Sequence, residues 1–211
     1  MQVFNFHTHN QNEEFGIINA GLSSNFDNKK NYSIGIHPWN YSLNWEKGFN
    51  QISESASNTF VVAIGETGFD PKSKVSIDLQ RTIFEKHVAL SEKLQKPLII
   101  HCVKYFNEII EIKNRINPHQ AWIIHGYRGK LTILKDLIEH DFYFSINEDL
   151  LKDTAKAEET FQLIGPEKLF LETDDKNADI RNIYNFAAKV FNIKIEELLN
   201  IISQNLSKCK I

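Results

Sequence analysis

The sequence predicts an α/β barrel of the (β/α)8 kind, with its first crossover helices reduced to loops. Three observations predict it. Short β-branched and aromatic runs alternate with longer stretches of helical periodicity. Eight such runs can be found, the number a closed parallel barrel needs. Histidines and carboxylates stand at the ends of the runs, on what would be a single rim.

The candidate strands, in order, are residues 3–7, 15–21, 32–37, 59–66, 97–101, 121–125, 142–146 and 168–172. Amphipathic stretches separate the later ones. In 79–94, Leu79, Ile83, Phe84, His87, Val88, Ser91 and Leu94 fall on one stripe, a helix with a core-facing side. Residues 106–115, 130–140 and 153–163 read as shorter helices, and Ile195, Leu198, Leu199, Ile202 and Leu206 mark a last one. Strand and helix in regular succession imply parallel strands joined by crossovers. Such barrels usually take ~250 residues, and this chain has 211. The shortfall lies between His9 and His37, which hold two strand candidates and no good helix. No repeat, low-complexity segment or linker interrupts the chain, so one domain spanning 1–211 is expected.

Composition excludes several classes. A hydrophobic fraction of 42% and a charged fraction of 24% are ordinary for a soluble globular protein. No apolar run approaches the ~18 residues of a membrane span, and Val3-Phe4-Asn5-Phe6 opens the chain without a signal core. Cys102 and Cys209 are too few for a disulfide framework, and a cytoplasmic setting is the expectation. A net charge of −3 lacks the footprint of a non-specific nucleic-acid binder. No membrane or protein partner is indicated.

The strand ends carry the chemistry. His7 and His9 are two apart, so their side chains share a face and can converge on one ion. Glu66 ends Val61-Val62-Ala63-Ile64, His101 ends Leu98-Ile99-Ile100, and His125 ends Trp122-Ile123-Ile124. Asp174 follows Leu169-Phe170-Leu171, two residues past Glu172. One lone strand-end histidine would be a hydrogen-bonding residue; six such residues on one rim are a ligand set. Nitrogen and oxygen donors of this kind suit zinc, manganese or iron and admit magnesium, and Glu66 has two oxygens with which to bridge ions. His37 precedes Pro38-Trp39 and is assigned to the substrate pocket or the outer shell of the site, not to the ligands. His87 lies on an apolar helix stripe and is structural. His119 and His140, in turns, receive no role, and Cys102 is a small buried residue facing away from His101.

These residues form an ordered set. His7-Thr8-His9, Gly35-Ile36-His37-Pro38-Trp39, Ile64-Gly65-Glu66-Thr67-Gly68-Phe69-Asp70, Pro97-Leu98-Ile99-Ile100-His101-Cys102, His125-Gly126-Tyr127-Arg128-Gly129 and Glu172-Thr173-Asp174 together resemble the TatD family of metal-dependent deoxyribonucleases. The resemblance runs from Phe4 to about Asn205, and the order of the motifs makes it specific. Barrel hydrolases of the amidohydrolase type usually carry a carboxylated lysine where this chain has Glu66. The resemblance implies a distorted TIM barrel, two divalent ions (Zn, Mg or Mn) and hydrolysis of phosphodiester bonds in DNA, as an exonuclease or DNase. It puts the ligands on His7, His9, Glu66, His101, His125 and Asp174. Three departures bear on the substrate: a shortened segment after His9, Cys102-Val103-Lys104 in place of the family's Ser-Arg, and a reduced loop after Asp174 that keeps only Arg181-Asn182.

The mechanism expected from this reading has a metal-held hydroxide attacking phosphorus. His7, His9 and Asp174 hold one ion, His101 and His125 the other, and Glu66 bridges them. Glu66 and Asp174 are the catalytic carboxylates, with Asp174 orienting or deprotonating the water. Asp70, four residues past Glu66, either fixes a ligand histidine or caps the turn before Pro71, and Glu172 joins it in the outer shell. Lys104, Tyr127 and Arg128 follow His101 and His125 and are expected, with His37 and Trp39, to contact the substrate: Arg128 as a phosphate clamp, Trp39 as a stacking face. Lys130 is read as a solvated helix start. Two rivals stand beside the nuclease: a hydrolase of a small phosphoester, lactone or amide on the same metal site, and a metal-binding module without turnover.

Overall fold

A computed structural model describes residues 2–21 and 26–211. Its strands are β1 (Asn5–Thr8), β2 (Gly16–Ala20), β3 (Asn31–Ile34), β4 (Val61–Phe69), β5 (Leu98–Cys102), β6 (Trp122–Ile124), β7 (Tyr143–Ile146) and β8 (Leu169–Leu171). They lie side by side in chain order, every neighbouring pair parallel. A bridge between Thr8 and Asp174 brings the first strand to the last, with the Asp174 N–H donating to the His7 carbonyl and the His9 N–H to the Asp174 carbonyl, both at 3.0 Å. The result is a nearly closed eight-stranded barrel, as expected. One boundary is corrected: β4 does not end at Glu66 but runs on to Phe69, because Thr67, Gly68 and Phe69 keep pairing with Ile100, His101 and Cys102.

Helices α1 (Trp45–Ser55), α2 (Ile77–Leu94), α3 (Phe106–Ile116), α4 (Leu131–Glu139), α5 (Glu148–Leu151), α6 (Thr154–Ile164), α7 (Ile180–Phe191) and α8 (Ile195–Lys208) follow β3 onward. Among the described residues, the connections from β1 to β2 and from β2 to β3 hold no helix; residues 22–25, part of the second, lie outside the description. Among the described residues, the first crossovers thus place no helix beside β1–β3.

The stripe read over 79–94 gives the longest helix. The Ser76 hydroxyl caps α2 by accepting from the Leu79 N–H at 3.3 Å, and Gln95 ends it in the left-handed conformation. Its Phe84 is buried against Phe69 and Trp122, with ring centroids 5.2 and 5.4 Å away. Full burial of a side chain of this kind contributes roughly 2–3 kcal/mol. Inside the barrel Phe6 stacks on Phe170 at 4.2 Å. The closing seam is held from outside, where the Tyr184 hydroxyl on α7 donates to the Phe4 carbonyl at 2.8 Å. His87 is structural, as its place on the stripe predicts: buried on α2, its Nδ1 meets the Ile83 carbonyl at 2.8 Å and its Nε2 accepts from the Ile36 N–H at 3.1 Å. That bond fixes the end of β3 directly behind His37.

Candidate metal centre

Two glycines let β4 and β5 approach closely enough to set Glu66 beside His101. Gly65 has φ 136°, and a Cβ there would stand 2.3 Å from the Ile99 carbonyl oxygen. Gly68 has φ 148°, and its Cβ would stand 1.9 Å from that of His101. Only glycine fits such a conformation at such a distance.

Glu66 is buried at the centre of the rim. Its Oε1 lies 2.7 Å from His125 Nε2, 2.8 Å from His101 Nδ1 and 3.2 Å from His37 Nε2. Its Oε2 lies 3.4 Å from His7 Nε2, 3.7 Å from His9 Nε2 and 3.3 Å from Asn19 Nδ2. Asp174 Oδ1 closes the other side, 3.9 Å from His7 Nε2 and 3.6 Å from His9 Nε2. Asp174 has φ 55°, held there by its two backbone bonds to β1. The six candidate ligands are therefore together on one rim, and three overlapping groups have donor atoms within 4.8 Å of one another: His7, His9 and Glu66; His7, His125 and Asp174; His37, Glu66 and His101.

Behind the histidines stand carboxylates. His101 Nε2 is 2.8 Å from Asp70 Oδ2, while Asp70 Oδ1 accepts from the Lys72 N–H at 2.7 Å. Asp70 thus does both things weighed for it, fixing a histidine and capping its own turn. His125 Nδ1 is 3.3 Å from Glu172 Oε1, and Glu172 Oε2 accepts from the Ser145 hydroxyl. A carboxylate behind a histidine holds the ring proton on its own side. The inner nitrogens, His101 Nδ1 and His125 Nε2, then turn lone pairs toward Glu66 Oε1 and toward each other at 3.3 Å.

Acceptors facing acceptors at such distances need a positive charge among them, a metal ion or a proton. His7 makes the same point, since both its ring nitrogens are buried without a hydrogen-bond partner. The donor set thus fits divalent metal. The electrostatics agree. Burial would raise the Glu66 carboxyl, but the imidazoles of His125, His101 and His37 overcome it and hold the group well below the carboxylate range. Burial would lower His125, but Glu66 and Glu172 carry it well above the histidine range. His9 is raised, first by its hydrogen bond to Glu66, against the effect of burial. Asp174 is raised by burial, although the His125 charge opposes this.

The rim opens into a cleft of about 650 Å³. Apart from the site residues it is lined by Asn19, Ala20, Gly21, Gly35, Ile36, Trp39, Asn40 and Asp175, so it extends over β2 and β3, where the described residues hold no crossover helix. His37 and Trp39 both line the cleft, and Trp39 is 49% exposed. The expected basic patch is elsewhere. Tyr127 is corrected: only 2% exposed, it packs on Phe106 and Phe144 and donates its hydroxyl to the Lys130 carbonyl at 2.7 Å, which leaves no face for substrate. Arg128 is not in the cleft either; it pairs with Asp149 at 3.2 Å. Lys104, exposed and also outside the lining, leaves β5 in a left-handed conformation. Cys102 is a partly buried free thiol. Sequence reasoning missed Asn19, whose amide reaches both Glu66 and, at 3.4 Å, His9 Nε2. Its signal was a polar residue near the end of β2, the counterpart of His7 and His9 on β1.

A family model described as TatD related DNase matches residues 17–209. An uncharacterized metal-dependent hydrolase of Buchnera aphidicola subsp. Baizongia pistaciae is 30% identical over 145 residues, 67% of this chain and 54% of its own length. The chain thus spans about half the length of that relative. A protein named deoxyribonuclease Tat-D from Schizosaccharomyces pombe is 30% identical over 125 residues, 57% of this chain and 40% of its own. Among solved structures, YjjV, a TatD homolog from Escherichia coli K12, superposes with a TM-score of 0.79 at 15% identity, covering 99% of this chain and 97% of its own, and so shares the fold.

Proposed function

The chain belongs to the TatD-related DNase family of metal-dependent hydrolases, and from that premise we propose that it hydrolyses phosphodiester bonds, with the terminus of a DNA strand as the substrate that fits best. The observation that carries this is the convergence of inward lone pairs on Glu66, braced by outer carboxylates and open to a cleft on one side. His7, His9, Glu66 and Asp174 would hold one divalent ion, and Glu66, His101 and His125 a second. When bound, such ions neutralise phosphoryl charge and make water a usable nucleophile near neutral pH.

The chain's own groups do the rest. Asp70 and Glu172 keep the proton of His101 on Nε2 and that of His125 on Nδ1, so both rings present lone pairs inward. The Asp174 carboxylate, partly exposed and raised by burial, would accept a proton from the attacking water on the oxygen not given to the ion. Trp39 offers an aromatic face at the cleft wall, with Lys72 Nζ 5.2 Å from its ring, which suits one base and its phosphate. The family description and the name of the Schizosaccharomyces relative support DNA. A second reading, a small phosphoester, is favoured by one observation: among the described residues no lysine or arginine lines the cleft.

One assay tests both. Wild type and Asp174→Asn are stripped, reloaded with Mg, Mn or Zn, and given a single-stranded oligonucleotide and a panel of small phosphoesters. Metal-dependent shortening from an end, lost in the variant, is expected. Turnover of the small esters alone would replace the nuclease with the second reading, and no turnover of either by metal-loaded protein would sink phosphoester hydrolysis.

A further inference from the structure

Three histidines surround Glu66 Oε1, but their outer nitrogens meet opposite partners. His101 and His125 face carboxylates, Asp70 at 2.8 Å and Glu172 at 3.3 Å. His37 faces a donor. Its Nδ1 accepts from the Trp39 N–H at 3.1 Å, capping the one-turn helix Pro38–Asn40. A nitrogen that accepts a hydrogen bond carries no proton, so the proton of neutral His37 is on Nε2. That atom lies 3.2 Å from Glu66 Oε1 and 3.3 Å from His101 Nδ1, both acceptors. His37 is therefore the inverse of its two neighbours: they turn lone pairs into the site, and it turns in an N–H.

From this we infer that His37, although its ring groups with Glu66 and His101 as a possible ligand, is not a metal ligand but a fixed hydrogen-bond donor for a phosphoryl oxygen of the substrate. The assignment of a phosphoryl oxygen rests on the function proposed above; the inverted tautomer does not. The ring is placed for the task. It lines the cleft beside Glu66, its edge against the Trp39 ring (centroids 5.0 Å apart), and the N–H of the residue before it is held by His87. The N–H, which now faces Glu66 Oε1, passes to the incoming oxygen without turning the ring, because the Trp39 N–H holds Nδ1. A site whose cleft lining lacks lysine and arginine among the described residues has particular use for such a donor.

The test uses the metal-loaded protein, inorganic phosphate as probe, and His37→Gln and His37→Ala, with Gln keeping an N–H₂ donor of similar reach. Nitrogen-15 NMR of the ring should find His37 protonated on Nε2. Both variants should keep the wild-type ratio of metal to protein, while His101→Gln loses metal. Phosphate affinity should fall about tenfold or more in His37→Ala, the loss expected for a hydrogen bond to a charged group, and stay within about threefold in His37→Gln. Loss of a metal equivalent in His37→Gln, or a proton on Nδ1, would make His37 a ligand and overturn the inference. Unchanged phosphate affinity in a metal-replete His37→Ala would overturn the donor role. Should His37→Ala fail to fold, His37→Phe, which keeps a ring and removes both nitrogens, takes its place. None of these readouts needs turnover, so failure of the phosphodiesterase reading would be seen separately, as absence of hydrolysis by wild type.

Discussion

At the lower end of the barrel, ahead of β7 and β8, Lys113, His140 and Asp141 line a cavity of about 470 Å³, with Lys168 bonded to Asp141, much as His101, His125, Glu66 and Asp174 line one of about 650 Å³ at the upper rim. Both gather histidine and carboxylate at one end of the barrel, the lower one with lysines added. Pairing separates them. Below, each donor meets an acceptor: Lys113 Nζ the Asp141 carbonyl at 2.7 Å, Lys168 Nζ the Asp141 carboxylate, His140 Nδ1 the Asp136 carbonyl at 2.7 Å. Lys113 and Lys168 also lie over the rings of Phe142 and Tyr143, at 4.2 and 4.1 Å, and the C-termini of α3 and α4 favour cations there. Above, the inward nitrogens of His101 and His125 face the Glu66 carboxylate, and neither ring nitrogen of His7 has a hydrogen-bond partner. The lower cluster is complete as it stands, whereas the upper one is completed only by something it binds.

The largest test removes the centre of the upper cluster. Glu66→Gln withdraws the one charge that reaches every candidate ligand histidine. Metal content by elemental analysis should fall, and metal-dependent hydrolysis should drop more than about 100-fold, beyond the 10- to 100-fold cost of losing an outer-shell partner. Full metal content in Glu66→Gln would mean that the convergence on Glu66 is not what holds the ions.

Smaller effects belong to the braces. Asp70→Asn and Glu172→Gln leave every ligand in place but no longer demand the outward ring proton. Each should weaken metal affinity about 10- to 100-fold in competition with a chelator. Wild-type affinity in both would show that ring orientation comes from packing alone.

Between the two ends stands His87, a satisfied histidine beneath an unsatisfied one. Burial pushes its pKa down to about 4, partly offset by its bond to the Ile83 carbonyl. From pH 6.5 downward the unfolded chain takes up a proton that the folded chain refuses, so stability is full above 6.5 and falls as pH drops toward about 4. The loss amounts to roughly 3 kcal/mol across that window. Denaturation of wild type and His87→Gln at several pH values reads it as a wild-type advantage that shrinks on acidification. A constant difference would mean that His87 is protonated when folded.

The upper rim was the legible end, for a geometric reason. An apolar run that stops at a histidine or carboxylate marks a strand's end, and parallel strands put all such ends on one side, so His7, His9, His101, His125 and Asp174 could be grouped before any coordinates. Glu66 was grouped with them although β4 continues past it. Three helices were missed: α5 is a single turn, and α1 and α7, although amphipathic, bury few large aliphatic side chains. Helix α1 carries Gly48 and buries only Trp45 and Ile52, while α7 packs through Ala187 and Ala188 beside Ile183 and Tyr184. Tyr127 and Arg128 misled because adjacency to His125 in sequence does not say which way a loop turns. What stands behind a ring nitrogen, the difference between His37 and His101, depends on contacts between separate elements, and no spacing encodes it.

The smallest effect is expected where pairing is most evident. The Asp141 carboxylate is bonded to Lys168, but 78% of its side chain is exposed, and exposed ion pairs typically contribute about 0–1 kcal/mol. Its carbonyl, the acceptor for Lys113, survives substitution of the side chain. Asp141→Asn can also stay in the left-handed conformation that Asp141 adopts at φ 58°, since Asn tolerates it as well as Asp. Denaturation should therefore find a change below about 1 kcal/mol, with metal content and hydrolysis at wild-type levels. A loss of metal or turnover would couple the lower cluster to the site across the length of the strands, and the contrast between a completed end and a receptive one would fail.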